Sequence, residues 1–203
     1  MSARMNVGQA LAAGFEDPIF GSQKTFRQIM DGLSSPARPV VFSAEALRCG
    51  PLSATTTSIL LTIVDHDTPL WLDHGLAQSE EVRAFIAFHC GAPLVQEPRD
   101  ALFGVACDPP SMPPLSAFAQ GDPEYPDRSA TIILQSEPRE NGLWSFSGPG
   151  LELPLKFDFA PAPSNFAEQW RANRARFPLG VDVIVAGASR IAGLPRSLEL
   201  HTS

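Results

Sequence analysis

Apolar positions along the chain recur with two periods, and together they predict helices alternating with strands. Phe26, Ile29, Met30 and Leu33 stand at i, i+3, i+4 and i+7, which predicts a helix over residues 22–35. Ser22 is its expected cap and Pro36 its stop. Val40–Phe42 reads as a short strand. Ile59, Leu60, Ile63 and Val64, with Leu61 on a further side, predict a well-buried helix over residues 55–65. The turn Asp67-Thr68-Pro69 leads into a strand at Leu70–Leu72. Ser79 then caps a helix from Glu80 to His89, whose acidic first turn suits the positive helix end and which Gly91 stops.

Further along, Leu102–Cys107 reads as a strand, Pro109–Pro114 as a loop and Pro114–Gln120 as a single helical turn. Ala130–Gln135 and Val181–Ala186 are rich in β-branched residues, as buried strands require. Trp144-Ser145-Phe146 alternates and runs into the turn Gly148-Pro149-Gly150. A helix is predicted from Asn165 to Arg176, with Asn165 and Glu168 at capping-box spacing, stopped by Pro178 and Gly180. Arg190–Leu194 pairs back on Val181–Ala186 across Gly187-Ala188. Phe26, Phe85 and Trp170 are assigned to the core. The pattern predicts an α/β fold, a mixed sheet with flanking helices and antiparallel hairpins near the C-terminus. Residues 1–20, broken by Gly14, Asp17 and Pro18, are expected to be loose, and residues 21–203 to form a single α/β domain.

A length of 203 residues suits one domain with its own core. Acidic residues number 22 against 15 basic, a net charge of −7, which argues against general nucleic-acid binding. No apolar run is long enough to span a membrane and no secretory signal is evident at the start, so a cytoplasmic protein is expected. Cys49, Cys90 and Cys107 lack the spacing of a zinc site or a disulfide framework. Only two lysines occur, Lys24 and Lys156, which restricts Schiff-base chemistry to those two positions.

No P-loop, dinucleotide fingerprint, nucleophile elbow or HExxH motif occurs. Several groups read two ways. Asp65-His66-Asp67-Thr68 places two carboxylates beside an imidazole, suited to acid–base work or to a metal, or else to capping a helix end and its turn. His89-Cys90 reads as a base and a thiol, or as a helix-end histidine beside a packed cysteine. Arg27 and Arg196 are candidates to grip an anion, against the alternative of pairing with surface carboxylates.

Segments spread over residues 20–200 together resemble one family. Phe26-Arg27-Gln28-Ile29-Met30 with Ser35-Pro36 resembles an FRxxM…SxPG motif, with Ala37 where the pattern has glycine. Thr56–Trp71 resembles LLTLxDxDTxxW, and Phe88-His89 with Ala92-Pro93-Leu94 resembles FHxxAPL. Gly148–Leu151, Phe177–Asp182 and Leu194–Ser197 resemble GPGI, FPLGxD and LPRT. The family is PhnH, a subunit of the bacterial carbon–phosphorus lyase system.

The resemblance implies a fold similar to the large domain of pyridoxal-phosphate-dependent transferases, without pyridoxal phosphate (PLP). It implies a cytoplasmic homodimer that joins PhnG, PhnI and PhnJ in organophosphonate catabolism. ATP would be a substrate of that complex, which transfers a phosphonate to the ribose anomeric carbon and releases adenine. A later radical step on PhnJ, with an iron–sulfur cluster and S-adenosylmethionine, would break the carbon–phosphorus bond. Neither lysine lies in a matched segment, and the three cysteines cannot form a CxxxCxxC cluster site. Two functions follow as expectations. One is a non-autonomous subunit without metal or cofactor of its own. The other is a stand-alone phosphate-ester or acyl-transfer enzyme using His89 or the Asp65/Asp67 cluster, with Arg27 or Arg196 on the anion.

Overall fold

The computed structural model describes residues 13–202. Among these residues five α-helices are formed: α1 (Pro18–Ser34), α2 (Ala54–Ile63), α3 (His74–Gln78), α4 (Glu80–His89) and α5 (Phe166–Arg174). The strands are β1 (Val40–Val41), β2 (Leu70–Leu72), β3 (Leu94–Val95), β4 (Phe103–Ala106) and β5 (Thr131–Leu134), then β6 (Glu137–Ser147), β7 (Leu155–Ala160), β8 (Asp182–Ala186), β9 (Arg190–Leu194) and β10 (Glu199–Thr202). Seven strands form a mixed sheet in the order β1-β9-β8-β5-β4-β2-β3, in which β9 alone runs against the others. β10, β6 and β7 form a second, antiparallel sheet.

Alternation along the central strands sends successive side chains to two cores. Ile133, Ile184 and Ala186 point to one face, where Ile29 of α1, Ile59 and Leu60 of α2 and Val82, Phe85 and Ile86 of α4 cover them. Ile132, Leu134, Val183 and Val185 point to the other, under Phe146, Phe157 and Phe159 of the small sheet and Phe166 and Trp170 of α5. Trp170 is fully buried, and its indole N–H donates to the Leu198 carbonyl at 3.0 Å, so its polar atom is satisfied.

The α/β class, the α4 limits and cap, the β2 limits and the β8–β9 hairpin stand as expected. Other expectations are corrected. α1 begins at Pro18, because the Asp17 carboxylate caps the Ile19 and Phe20 N–H groups at 3.0 and 3.1 Å and Pro18 fits the first helical position. Part of the segment expected to be loose is therefore helix, and residues 1–12 lie outside the described residues. The buried face of α1 is Gly21, Thr25, Ile29 and Gly32, whereas Phe26 and Met30 are 51% and 46% exposed. Small residues let the helix close on β9: a Cβ on Gly32 would stand 3.1 Å from the Ile191 side chain. Phe26 is thus not core.

α2 runs from Ala54 to Ile63 rather than over 55–65: it starts one residue earlier because the Ser53 hydroxyl caps it, accepting the Thr56 N–H at 3.1 Å, and it ends where Val64 turns to extended backbone. The capping box at Asn165 does not form: Asn165 adopts a left-handed φ of 53° and makes no side-chain cap bond. The turn expected at Pro114–Gln120 is a 3₁₀ turn at Leu115–Ala117. α3, β3, β7 and β10 were not predicted, and β6 is far longer than Trp144–Phe146.

Candidate functional site

Ligands of open α/β sheets usually sit at the carboxyl ends of the parallel strands. Here that edge is closed by the chain's own polar groups. Gln135, just past β5, accepts the Ser53 N–H at 2.7 Å and the Thr56 hydroxyl at 3.1 Å, and donates to the Pro51 carbonyl at 3.1 Å. The Thr55 hydroxyl donates to the Ala188 carbonyl beyond β8 at 3.1 Å. Asp73, past β2, is 6% exposed and caps α3 through the Leu76 N–H at 2.9 Å. Its other oxygen accepts the Cys107 and Asp108 N–H groups beyond β4 at 2.6 and 2.9 Å. Burial, and for Cys107 the nearby Asp73 charge, push the thiols up: Cys49 and Cys90 to about 11 and Cys107 to about 12. For Cys49 the Glu81 carboxylate adds to burial.

The residues singled out from sequence lie elsewhere. Asp65 and Asp67 form the exposed turn that enters β2, on the amino edge of the sheet. The Asp65 carboxylate accepts the Thr68 hydroxyl at 2.6 Å and the Asp67 N–H at 3.0 Å. Those bonds, with a smaller contribution from His66, hold Asp65 below the ordinary carboxylate range against a weak opposing effect of burial. His66 reaches Asp67 at 3.3 Å in an exposed pair. The end of α4 adjoins this turn, since a Cβ on Gly91 would stand 3.7 Å from the His66 Cβ. The His89 ring packs on Phe85 and Phe88, with centroids at 4.6 and 4.9 Å, and lies 3.1 Å from where a Cβ on Gly14 would stand. Proximity of the two segments is thus real, but the carboxylates bond within their own turn and His89 is packed by aromatic rings and the N-terminal segment.

Arg27 is exposed on α1. Arg196 is 14% exposed and gripped by Asp182, the first residue of β8: its Nε donates to one carboxylate oxygen at 3.1 Å and its Nη2 to the other. Its Nη1 donates to the Pro126 carbonyl at 2.9 Å. This arginine ties the β9–β10 corner to the start of β8. Among the described residues no group of three or more His, Cys, Asp or Glu is placed to hold a metal ion. Lys24 lies in the second turn of α1, bonded to Glu45 at 2.5 Å, and Lys156 lies exposed on β7. Glu45 follows the carboxyl end of β1, so Lys24 lies on that side of the large sheet, held in an ion pair, whereas Lys156 belongs to the small sheet.

A groove of about 400 Å³ between the end of α1 and the small sheet had no warning in the pattern. Ala37, Arg38, Glu140, Asn141, Leu155 and Lys156 line it. Its walls are held by unusual backbone. Ala37 is fully buried at φ 56°, in the left-handed region that disfavours a side chain, and its N–H donates to the Gly193 carbonyl at 2.9 Å. Asn141 also stands at φ 56°, inside a bulge where the β6–β7 register slips between Glu140 and Trp144. Buried Asp158 fastens that bulge by accepting the Leu143 N–H at 3.0 Å and the Arg139 Nε at 2.6 Å. Gly142 is needed there, since a Cβ would meet the Asp158 backbone nitrogen at 2.3 Å. The signal that points to this place is Ala37 itself, standing where the resembled motif has glycine.

Among the described residues no helix is long and apolar enough to cross a membrane. The family model for the bacterial phosphonate metabolism protein PhnH matches residues 13–201. A protein of Rhizobium meliloti (strain 1021), the alpha-D-ribose 1-methylphosphonate 5-triphosphate synthase subunit PhnH, is 35% identical over 197 residues, covering 95% of this chain and 96% of the relative.

Proposed function

Because this chain belongs to the PhnH family, we propose that it is a non-autonomous subunit of a carbon–phosphorus lyase assembly. It supports transfer of an alkylphosphonate to the ribose anomeric carbon of ATP, with release of adenine. The name of the Rhizobium relative, a subunit of a ribose methylphosphonate triphosphate synthase, agrees with that product class. In this reading the chain is a cytoplasmic homodimer whose further partners are PhnG, PhnI and PhnJ. Its fold is related to the large domain of PLP-dependent transferases, and it works without PLP. The mixed sheet with β9 alone reversed supports the first of those points, and the pairing of Lys24 with Glu45 and the place of Lys156 on the small sheet are in keeping with the second.

The closed carboxyl edge carries the reading. Gln135, Ser53, Thr55 and Thr56 spend their hydrogen-bonding capacity on one another and on backbone, where an enzyme of this architecture would present groups to substrate. A stand-alone enzyme built on His89 or the Asp65/Asp67 turn has less support, because those groups stand at the opposite edge, where the Asp65 carboxylate bonds within its own turn and the His89 ring is packed by Phe85, Phe88 and the N-terminal segment.

Co-expression with PhnG, PhnI and PhnJ tests the proposal. The chain should co-elute with them, and the set lacking it should lose phosphonate-dependent release of adenine from ATP. Full activity of the set without this chain, or turnover of phosphonate and ATP by the chain alone, overturns it.

A further inference from the structure

The two lysines of this acidic chain are used differently. Lys24 is spent on Glu45, whereas Lys156 makes no side-chain hydrogen bond or ion pair among the described residues. The same holds for Arg38 and for the Asn141 amide, which line the same groove. The one carboxylate in the groove, Glu140, shares Arg190 with Glu137, at 3.9 and 3.5 Å, and makes no ion pair with Arg38 or Lys156. Two cations from different layers, one at the end of α1 and one on β7, therefore share a concave surface with neither held in an ion pair among the described residues. Like charges repel, so leaving both unpaired on one groove favours an anion between them.

The backbone points the same way. Left-handed non-glycine residues are costly and persist where the surrounding structure forces them, often at binding sites. Among the described residues three occur, Ala37, Asn141 and Asn165, and two of them line this groove. Ala37 sets the direction of Arg38, and the bulge at Asn141 sets the wall opposite. A smaller adjoining depression holds Ser34, Ser35 and Glu152 beside Arg38. Glu152 disfavours an anion there, which leaves the side toward Lys156.

We propose that the Arg38–Lys156 groove binds a tetrahedral phosphorus oxyanion, with the Arg38 guanidinium as a two-pronged donor, the Lys156 ammonium as a point charge and the Asn141 amide as a neutral donor. A free phosphonate and a phosphate of a polyphosphate chain share this chemistry, and both are substrate groups under the subunit reading on which the choice of anion rests.

Calorimetric titration of the purified full chain with methylphosphonate and, separately, with sodium tripolyphosphate tests the site. Saturable binding of either is expected, and the probe that binds more tightly names the source. Arg38→Gln and Lys156→Gln should each weaken it at least about fivefold with unchanged melting temperature, since both side chains are exposed. Arg83→Gln removes the same charge from the exposed surface of α4 and should leave affinity unchanged. No binding of either probe, equal affinity in the groove variants, or equal weakening by Arg83→Gln overturns the site. Failure of the chain to co-elute with PhnG, PhnI and PhnJ would overturn the subunit reading alone, because the titration uses the single chain.

Discussion

Arg196→Gln should destabilise the fold by about 2–3 kcal/mol while leaving anion binding intact. The side chain makes two bonds to the Asp182 carboxylate and one to the Pro126 carbonyl. Hydrogen bonds to charged groups contribute roughly 1.5–3 kcal/mol each, and breaking a fully buried ion pair costs about 3–5 kcal/mol. The pair is not fully buried, with side chains 14% and 24% exposed, so the upper figures must be discounted for solvent. Glutamine keeps much of the stem and some bonding capacity, which lowers the figure further. Asp182 also retains the Arg196 backbone N–H, at 2.7 Å, in the variant. Urea unfolding of the purified chain measures the loss, and a double-mutant cycle with Asp182→Asn should show a coupling of about 1–2 kcal/mol. Unfolding free energy within about 0.5 kcal/mol of the parent, together with lost phosphonate or polyphosphate binding, would refute the structural role and restore Arg196 as an anion-gripping residue.

Asp73→Ala should cost about 3–4 kcal/mol by urea unfolding, since it removes the α3 cap and strands the Cys107 and Asp108 N–H groups. Asp73→Ser keeps the cap alone and should recover about 1 kcal/mol of that loss; no difference between the two would refute the double role. The thiols should resist iodoacetamide at pH 8 in the folded chain and react on unfolding, because burial holds Cys49 and Cys90 at about 11 and Cys107 at about 12. Their neutral forms favour the fold, so this contribution is complete below the ordinary value of 9.0 and is lost as pH rises toward 11–12, a decline that urea melts from pH 8 upward will follow. Ala37→Val should destabilise by about 2 kcal/mol or more, because a β-branched residue is forced into left-handed backbone at a fully buried position. Ala37→Gly should fall within about 1 kcal/mol of the parent, as relief of strain offsets the lost methyl burial and the added freedom of the unfolded chain. Thermal melts of both variants decide it.

Elements whose signals are local were legible in the sequence. α4 carries its cap at Ser79, its acidic first turn and its apolar face of Val82, Phe85 and Ile86 within twelve positions, and nothing distant contradicts them. α1 shows the limit of periodicity. Large apolar residues imply one face, but Gly21, Thr25 and Gly32 allow closer approach to the sheet, and close packing turned Phe26 and Met30 outward. β7 was hidden because Phe157, Asp158 and Phe159 are buried in succession, without alternation. Asp158 tolerates that position only through Arg139 and the β6 bulge, partners that no local pattern reveals. The groove was hidden for the same reason: Arg38 and Lys156 meet through two packed layers, and only the Ala37 mismatch marked the place.

β1 and β3, the outermost strands of the large sheet, span only two residues each, Val40–Val41 and Leu94–Val95. So little unpaired backbone at either margin gives a neighbour almost no ladder to extend on the large sheet, which guards that sheet against runaway strand-to-strand polymerisation. Assembly at the margins of that sheet is then read out by side chains and shape, contacts that can discriminate one partner from another in a way that backbone zippering cannot.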